Sequence, residues 1–185
     1  MRNAVVATFT ETEAFQNRAG QIGGFIGTFI SNTPLSDDGS QASGVTINSS
    51  RIYQNFADFR GGAISLDDID LVAKNNLFYA NGITATDSTD FGGAINLTAD
   101  TALQTTLLVN NTFYLNTASD FGGDVSVFSS AANPEGALEL TIQNNVFASL
   151  AGFTNVGIQN TAGNEPDEIT ITTDGGNFFP VTPLD

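Results

Sequence analysis

One short run of residues recurs along this chain, and the recurrence limits the fold more than any bulk property does. Asn75 to Asn81 reads Asn-Asn-Leu-Phe-Tyr-Ala-Asn, and Asn110 to Asn116 reads Asn-Asn-Thr-Phe-Tyr-Leu-Asn. Looser copies run from Ser49 to Asn55 and from Asn144 to Leu150. A double glycine follows the first three copies, at Gly61-Gly62, Gly92-Gly93 and Gly122-Gly123, and Gly23-Gly24 supplies an earlier one. A repeat of roughly thirty residues is one supersecondary unit that cannot bury its apolar face alone, so copies must stack on each other.

Between the markers, apolar and polar residues alternate over short stretches: Val45-Thr46-Ile47, Ala94-Ile95-Asn96-Leu97, Leu138 to Ile142 and Ile169 to Thr172. Period two with β-branched residues predicts strands. Short strands, a fixed period and filler of changing length together predict an all-β fold, a single parallel β-helix (β-solenoid) of about five coils. In that fold the pairs Asn75/Asn76, Asn110/Asn111 and Asn144/Asn145 stack about 4.8 Å apart as amide ladders at a bend. Phe78, Phe113 and Phe147, with Ile52 below them, form an interior column. The glycine pairs mark a corner that needs positive φ or close backbone approach.

Filler leaves the coil at corners, around 82–89, 129–137 and 160–168, where extra residues need not enter the core. The whole of 1–185 reads as one domain: an N-terminal coil or cap over 1–44, core repeats over 45–160, and a last strand and tail over 161–185. Residues 10–20 admit two readings. Thr10 and Glu13 at capping-box spacing, with Gly20 as a stop, suit a short capping helix. The same segment is also a degenerate copy of the Phe-containing motif.

Twenty acidic residues against five basic ones give a formal charge of −15, which repels phosphate backbones and anionic bilayers. Nucleic acid is excluded as a partner, and no apolar run is long enough for a membrane span. Neither Cys nor His is present, so thiol and imidazole chemistry and the usual zinc, copper and haem ligands are absent. No basic segment followed by an apolar one opens the chain, so an export signal is expected to lie outside it or to have been removed.

Acid clusters carry the remaining chemistry. Asp67, Asp68 and Asp70 follow a strand, and only Arg51, Arg60 and Lys74 lie within the repeats as candidate bases. Asp90 and Asp120 occupy equivalent positions in successive coils, and with Asp124 they are the candidate calcium ligands, since hard carboxylate oxygens near turns suit that ion. No catalytic residue and no other cofactor is assigned. Sequons at Asn48, Asn96 and Asn110 are read as coincidental, the last because it falls in the expected ladder.

At these residues the chain resembles a known family. Phe78 to Asn81 and Phe113 to Asn116 match a Phe-x-x-Asn motif, and Gly61 to Ile64 and Gly92 to Ile95 match Gly-Gly-Ala-Ile. Both motifs are similar to the repeats of chlamydial polymorphic membrane proteins and related bacterial β-helical passenger domains, over roughly residues 45 to 150. The departures are Ile52 for Phe, Leu150 for Asn and Asp124 for Ala. The resemblance implies a right-handed β-helix on a bacterial cell surface or outside the cell, non-enzymatic, working in adhesion to glycans or host receptors or in assembly. The alternative is a carbohydrate-active β-helix of lyase or hydrolase type. Strand-like ends at 3–13 and 168–176, without proline or lysine, predict head-to-tail association of copies into a filament.

Overall fold

The computed structural model describes residues 6–28, 43–84, 91–100, 103–119, 121–129, 137–148, 155–160 and 169–179. Every strand pairs in parallel with the equivalent strand of the neighbouring repeat, and the chain builds four sheets as it winds. The first face holds six strands: Val6–Thr10, Gly44–Asn48, Asp70–Lys74, Gln104–Val109, Leu138–Gln143 and Ile169–Asp174. They stand in sequence order, so each begins one layer, coils one to six. The second face holds Glu13–Phe15, Arg51–Tyr53, Leu77–Tyr79, Thr112–Tyr114 and Val146–Ala148. The third is short, Arg18–Ala19, Phe56–Ala57 and Gly82–Ile83. The fourth holds Ile26–Gly27, Ile64–Asp67, Ile95–Ala99, Val125–Ser129 and Val156–Asn160. This is a parallel β-solenoid, with a sixth layer beyond the five expected.

Register keeps like residues in columns. Ala7, Val45, Leu71, Thr106, Leu140 and Ile171 align through the first face, as do Phe9, Ile47, Ala73, Leu108, Ile142 and Thr173. Alternation turns these residues inward, where most are fully buried. Phe78, Phe113 and Phe147 stack inside with centroids 4.9 Å apart and rings within 5° of parallel, as expected. The column continues to Phe179, also at 4.9 Å, because Asn177 to Phe179 is a sixth copy of the motif. Below, Ile52 and then Ala14 occupy the same column. Ala14 is too small to fill its layer, and Phe9 packs edge-on to Phe25 there at 5.1 Å.

The helix reading of 10–20 is overturned. Those residues form two strands and two corners, with Glu11 at φ 51° and Gln16 at φ 56°. Ser49, Asn75, Asn110 and Asn144 repeat the first corner, and Gln54, Ala80 and Leu115 the second. Parallel pairing with coil two outweighs the local capping signal, which lacks an apolar stripe of helical period. The third corner takes glycine for a steric reason. A Cβ on Gly61, at φ +58°, would stand 2.0 Å from the Ile64 carbonyl oxygen, and one on Gly62 2.2 Å from that of Gly93.

Two amide ladders run inside, where one was expected. In the first, the backbone N–H of Asn76 donates to Asn111 Oδ1 (3.0 Å), that of Asn111 to Asn145 Oδ1 (2.9 Å) and that of Asn145 to Asn177 Oδ1 (2.9 Å). Only the second residue of each Asn pair joins this inner ladder; Asn75, Asn110 and Asn144 sit exposed at the corner with positive φ, where the Asn110 Nδ2–H donates to Asn75 Oδ1 at 3.2 Å. Asn is there because it tolerates the left-handed region. The Asn110 sequon is therefore exposed, whereas Asn96 is 1% exposed. The second ladder joins Asn17, Asn55, Asn81 and Asn116, the closing residue of each motif.

Candidate functional site

The acids after the fourth face hold the backbone of the next turn. Asp68 is buried with φ 51°, and its Oδ1 accepts the Asp100 N–H at 2.8 Å. Asp70 Oδ1 accepts the Thr105 N–H at 2.7 Å. Carboxylates that accept main-chain bonds across coils stabilise the stack, because those N–H groups need partners.

Of the three candidate bases, Arg60 is the one whose pKa the Asp67 and Asp100 charges act on. It stands in a row with Ile22, Phe91 and Phe121 at the corner before the fourth face. Its guanidinium carbon lies 5.1 Å from the Phe59 ring centre and 5.5 Å from those of Phe91 and Phe128. Burial draws its pKa down, opposed by the negative charges of Asp100 and Asp67. The planar cation is held by aromatic faces. Beneath it, Ser126 Oγ donates to Asn96 Oδ1 (2.8 Å), and Asn96 Nδ2 donates to Thr98 Oγ1 (3.1 Å), a buried polar row on the outward side of the sheet. Arg51 instead lines a cleft of about 220 Å³ with Glu11, Thr12, Glu13 and Ser49, and Lys74 lies on the first face.

Of the candidate calcium residues, only Asp124 is among the described residues. Asp90 and Asp120 lie outside the described residues. Asp124 is inside the solenoid with 0% exposure, and its Oδ1 accepts the Asn116 Nδ2–H at 2.9 Å. Its side chain thus belongs to the interior and serves the second amide ladder. Among the described residues, no group of three acidic side chains is placed to hold a metal ion.

The second face presents a row that motif reading missed. Phe15 and Tyr53 stack at 5.1 Å, Tyr53 and Tyr79 at 5.0 Å, and Tyr114 continues the register. Phe15 is 46% and Tyr114 48% exposed, and the Tyr53 hydroxyl donates to Glu13 Oε1 at 3.0 Å. The signal was present in the sequence, since Tyr53, Tyr79 and Tyr114 each follow the interior apolar residue of their motif and must point outward. Arg60's aromatic enclosure had no such signal, because Phe59, Phe91 and Phe128 come from three different coils.

The fold defines a class, the parallel β-solenoid. No family model, curated protein or solved structure matches the chain, so its likeness to bacterial passenger repeats is carried by the short motifs alone.

Proposed function

We propose that this chain is a non-enzymatic structural or adhesive solenoid module, displayed on a bacterial surface or outside the cell, that joins copies of itself head to tail. The observation that carries the reading is the complementarity of its two ends. In each ladder the backbone N–H of the earlier coil's asparagine donates to Oδ1 of the later one, and the later amide's Nδ2–H returns to a carbonyl of the earlier coil. The first and last coils would therefore present the two complementary halves of this two-way pattern to each other. Column sizes agree. A second copy set in register would place Phe9 over the small Thr173 and Ala14 over the large Phe179, following the columns of the first and second faces. Main-chain hydrogen bonds between Val6–Thr10 and Ile169–Asp174 would supply the rest.

Negative-stain microscopy and light scattering on the purified protein test it. Elongated assemblies that vanish on deleting residues 1–12 are expected; a monomer at high concentration, unchanged by that deletion, overturns the reading. The exposed Phe15 to Tyr114 row is the adhesive surface in this proposal, toward glycans or a host receptor. The second reading, a carbohydrate-active β-helix, is favoured by Arg60 feeling the negative charges of Asp100 and Asp67. Release of unsaturated or reducing ends from acidic and neutral polysaccharides, lost in Arg60→Gln, would support it.

A further inference from the structure

We propose that Asp124 is a proton-operated latch: its carboxyl closes the second amide ladder inside coil four, and on losing its proton it leaves an uncompensated charge in the interior that loosens that coil around Ala94 and Ile95. The geometry begins with the ladder itself. Asn55 and Asn81 each give Nδ2–H to the Oδ1 of the next coil's asparagine, at 3.1 and 3.0 Å. Asn116 receives from Asn81 in the same way but cannot pass the bond on, because the next repeat carries Leu150 at that position, a residue outside those described. Its Nδ2–H goes instead to Asp124 Oδ1, eight residues ahead in its own coil.

Asp124 takes the place that Ala63 and Ala94 fill in the preceding coils, as the bonds Ala63 N–H to Ala94 carbonyl and Ala94 N–H to Asp124 carbonyl show. The two departures from the repeat, Asp124 and Leu150, thus answer each other. The carboxyl is wholly buried, and its second oxygen, Oδ2, has no hydrogen-bond partner. An ionised carboxylate in that position is costly, and the neutral acid is the form such a site favours.

The described elements packed on it are its own strand Val125–Ser129, the strands Ile95–Ala99 and Val156–Asn160 on either side, and the segment 112–118 across the corner. Their one ionisable side chain is Tyr114, which is exposed on the outer surface. Asp90 and Asp120, four residues before Ala94 and Asp124 in sequence, lie outside the described residues. Burial pushes the Asp124 carboxyl up to about 7 from 3.8, against the smaller opposite effect of the Asn116 amide. The folded state then holds a proton that the unfolded chain gives up. Its contribution to stability is complete below the ordinary carboxylate range, is lost as the pH rises toward 7, and does not change further above it.

The experiment compares unfolding of the native protein, Asp124→Asn and Asp120→Asn from pH 4 to 9, with the Asp124 carboxyl carbon followed by NMR in the native protein. The expected result is a native unfolding constant that rises relative to Asp124→Asn by up to about tenfold per pH unit below pH 7 and then levels off. Asp120→Asn should keep that step. Above pH 7 the amides of Ala94, Ile95 and Asp124 should exchange faster, after correction for intrinsic rates, than those of Leu108 and Phe113. A carboxyl that titrates below about pH 5, parallel profiles for native and Asp124→Asn, or a step abolished by Asp120→Asn overturns the proposal. Should Asp124→Asn fail to fold, the NMR titration of the native protein decides alone.

Discussion

Asn111 makes four hydrogen bonds through one side-chain amide. Its Nδ2 donates to the Ala73 carbonyl and to Asn145 Oδ1, and its Oδ1 accepts both N–H groups of Asn76. Asn111→Leu removes these four bonds and leaves the buried Asn76 backbone N–H without its acceptor, and a loss on the order of 3 kcal/mol in chemical denaturation is expected. Its neighbour Asn110 supplies the contrast. Exposed at φ 54°, it should cost only about 1 kcal/mol when changed to leucine, the strain of a left-handed residue. Equal losses for the two variants would contradict the assignment of the inner ladder. Gly92→Ala is a steric case of the same kind as Gly61. At φ +69° its Cβ would stand 2.2 Å from the Ile95 carbonyl oxygen, so a loss of about 3 kcal/mol or more is expected by thermal melting.

At the scale of the element, the three-residue strands of the second face separate an inner column from an outer one. Phe113 is wholly buried between Phe78 and Phe147, and Tyr114 beside it is 48% exposed. Phe113→Ala should cost about 3–5 kcal/mol, and Tyr114→Ala under about 1 kcal/mol. A reversal would mean the strand is turned by one residue. The inner column was legible from the sequence because period two and the recurring motif fix which side chain points inward. The ladder partner of that strand was legible only in part. The spacing showed paired asparagines without showing which member turns in, since that depends on φ at the corner. The closing Asn55, Asn81 and Asn116 were seen as motif residues but not as a second ladder, because no local rule distinguishes an inward amide from a solvated one.

For the whole molecule, the proposed head-to-tail association makes the two ends decide its behaviour. Removing residues 169–185 strips Phe179 from Phe147 and Asn177 from Asn145. A lower melting temperature and loss of head-to-tail assembly are expected, the first by calorimetry and the second by light scattering. A formal charge of −15 opposes assembly at low salt. Raising ionic strength to about 0.15 M should therefore favour it, unlike an association driven by attraction between opposite charges. The repeat by itself determined the solenoid, the interior phenylalanines and the glycine corner, because stacking demands the same residue type at the same place in every coil. Tertiary structure alone decided that residues 10–20 wind as the first coil, that Arg60 sits among three phenylalanines, and that Asp124 turns inward to end a ladder. Each of those depends on contacts between residues far apart in sequence, where the partner in the next coil, and not the local pattern, sets the lower free energy.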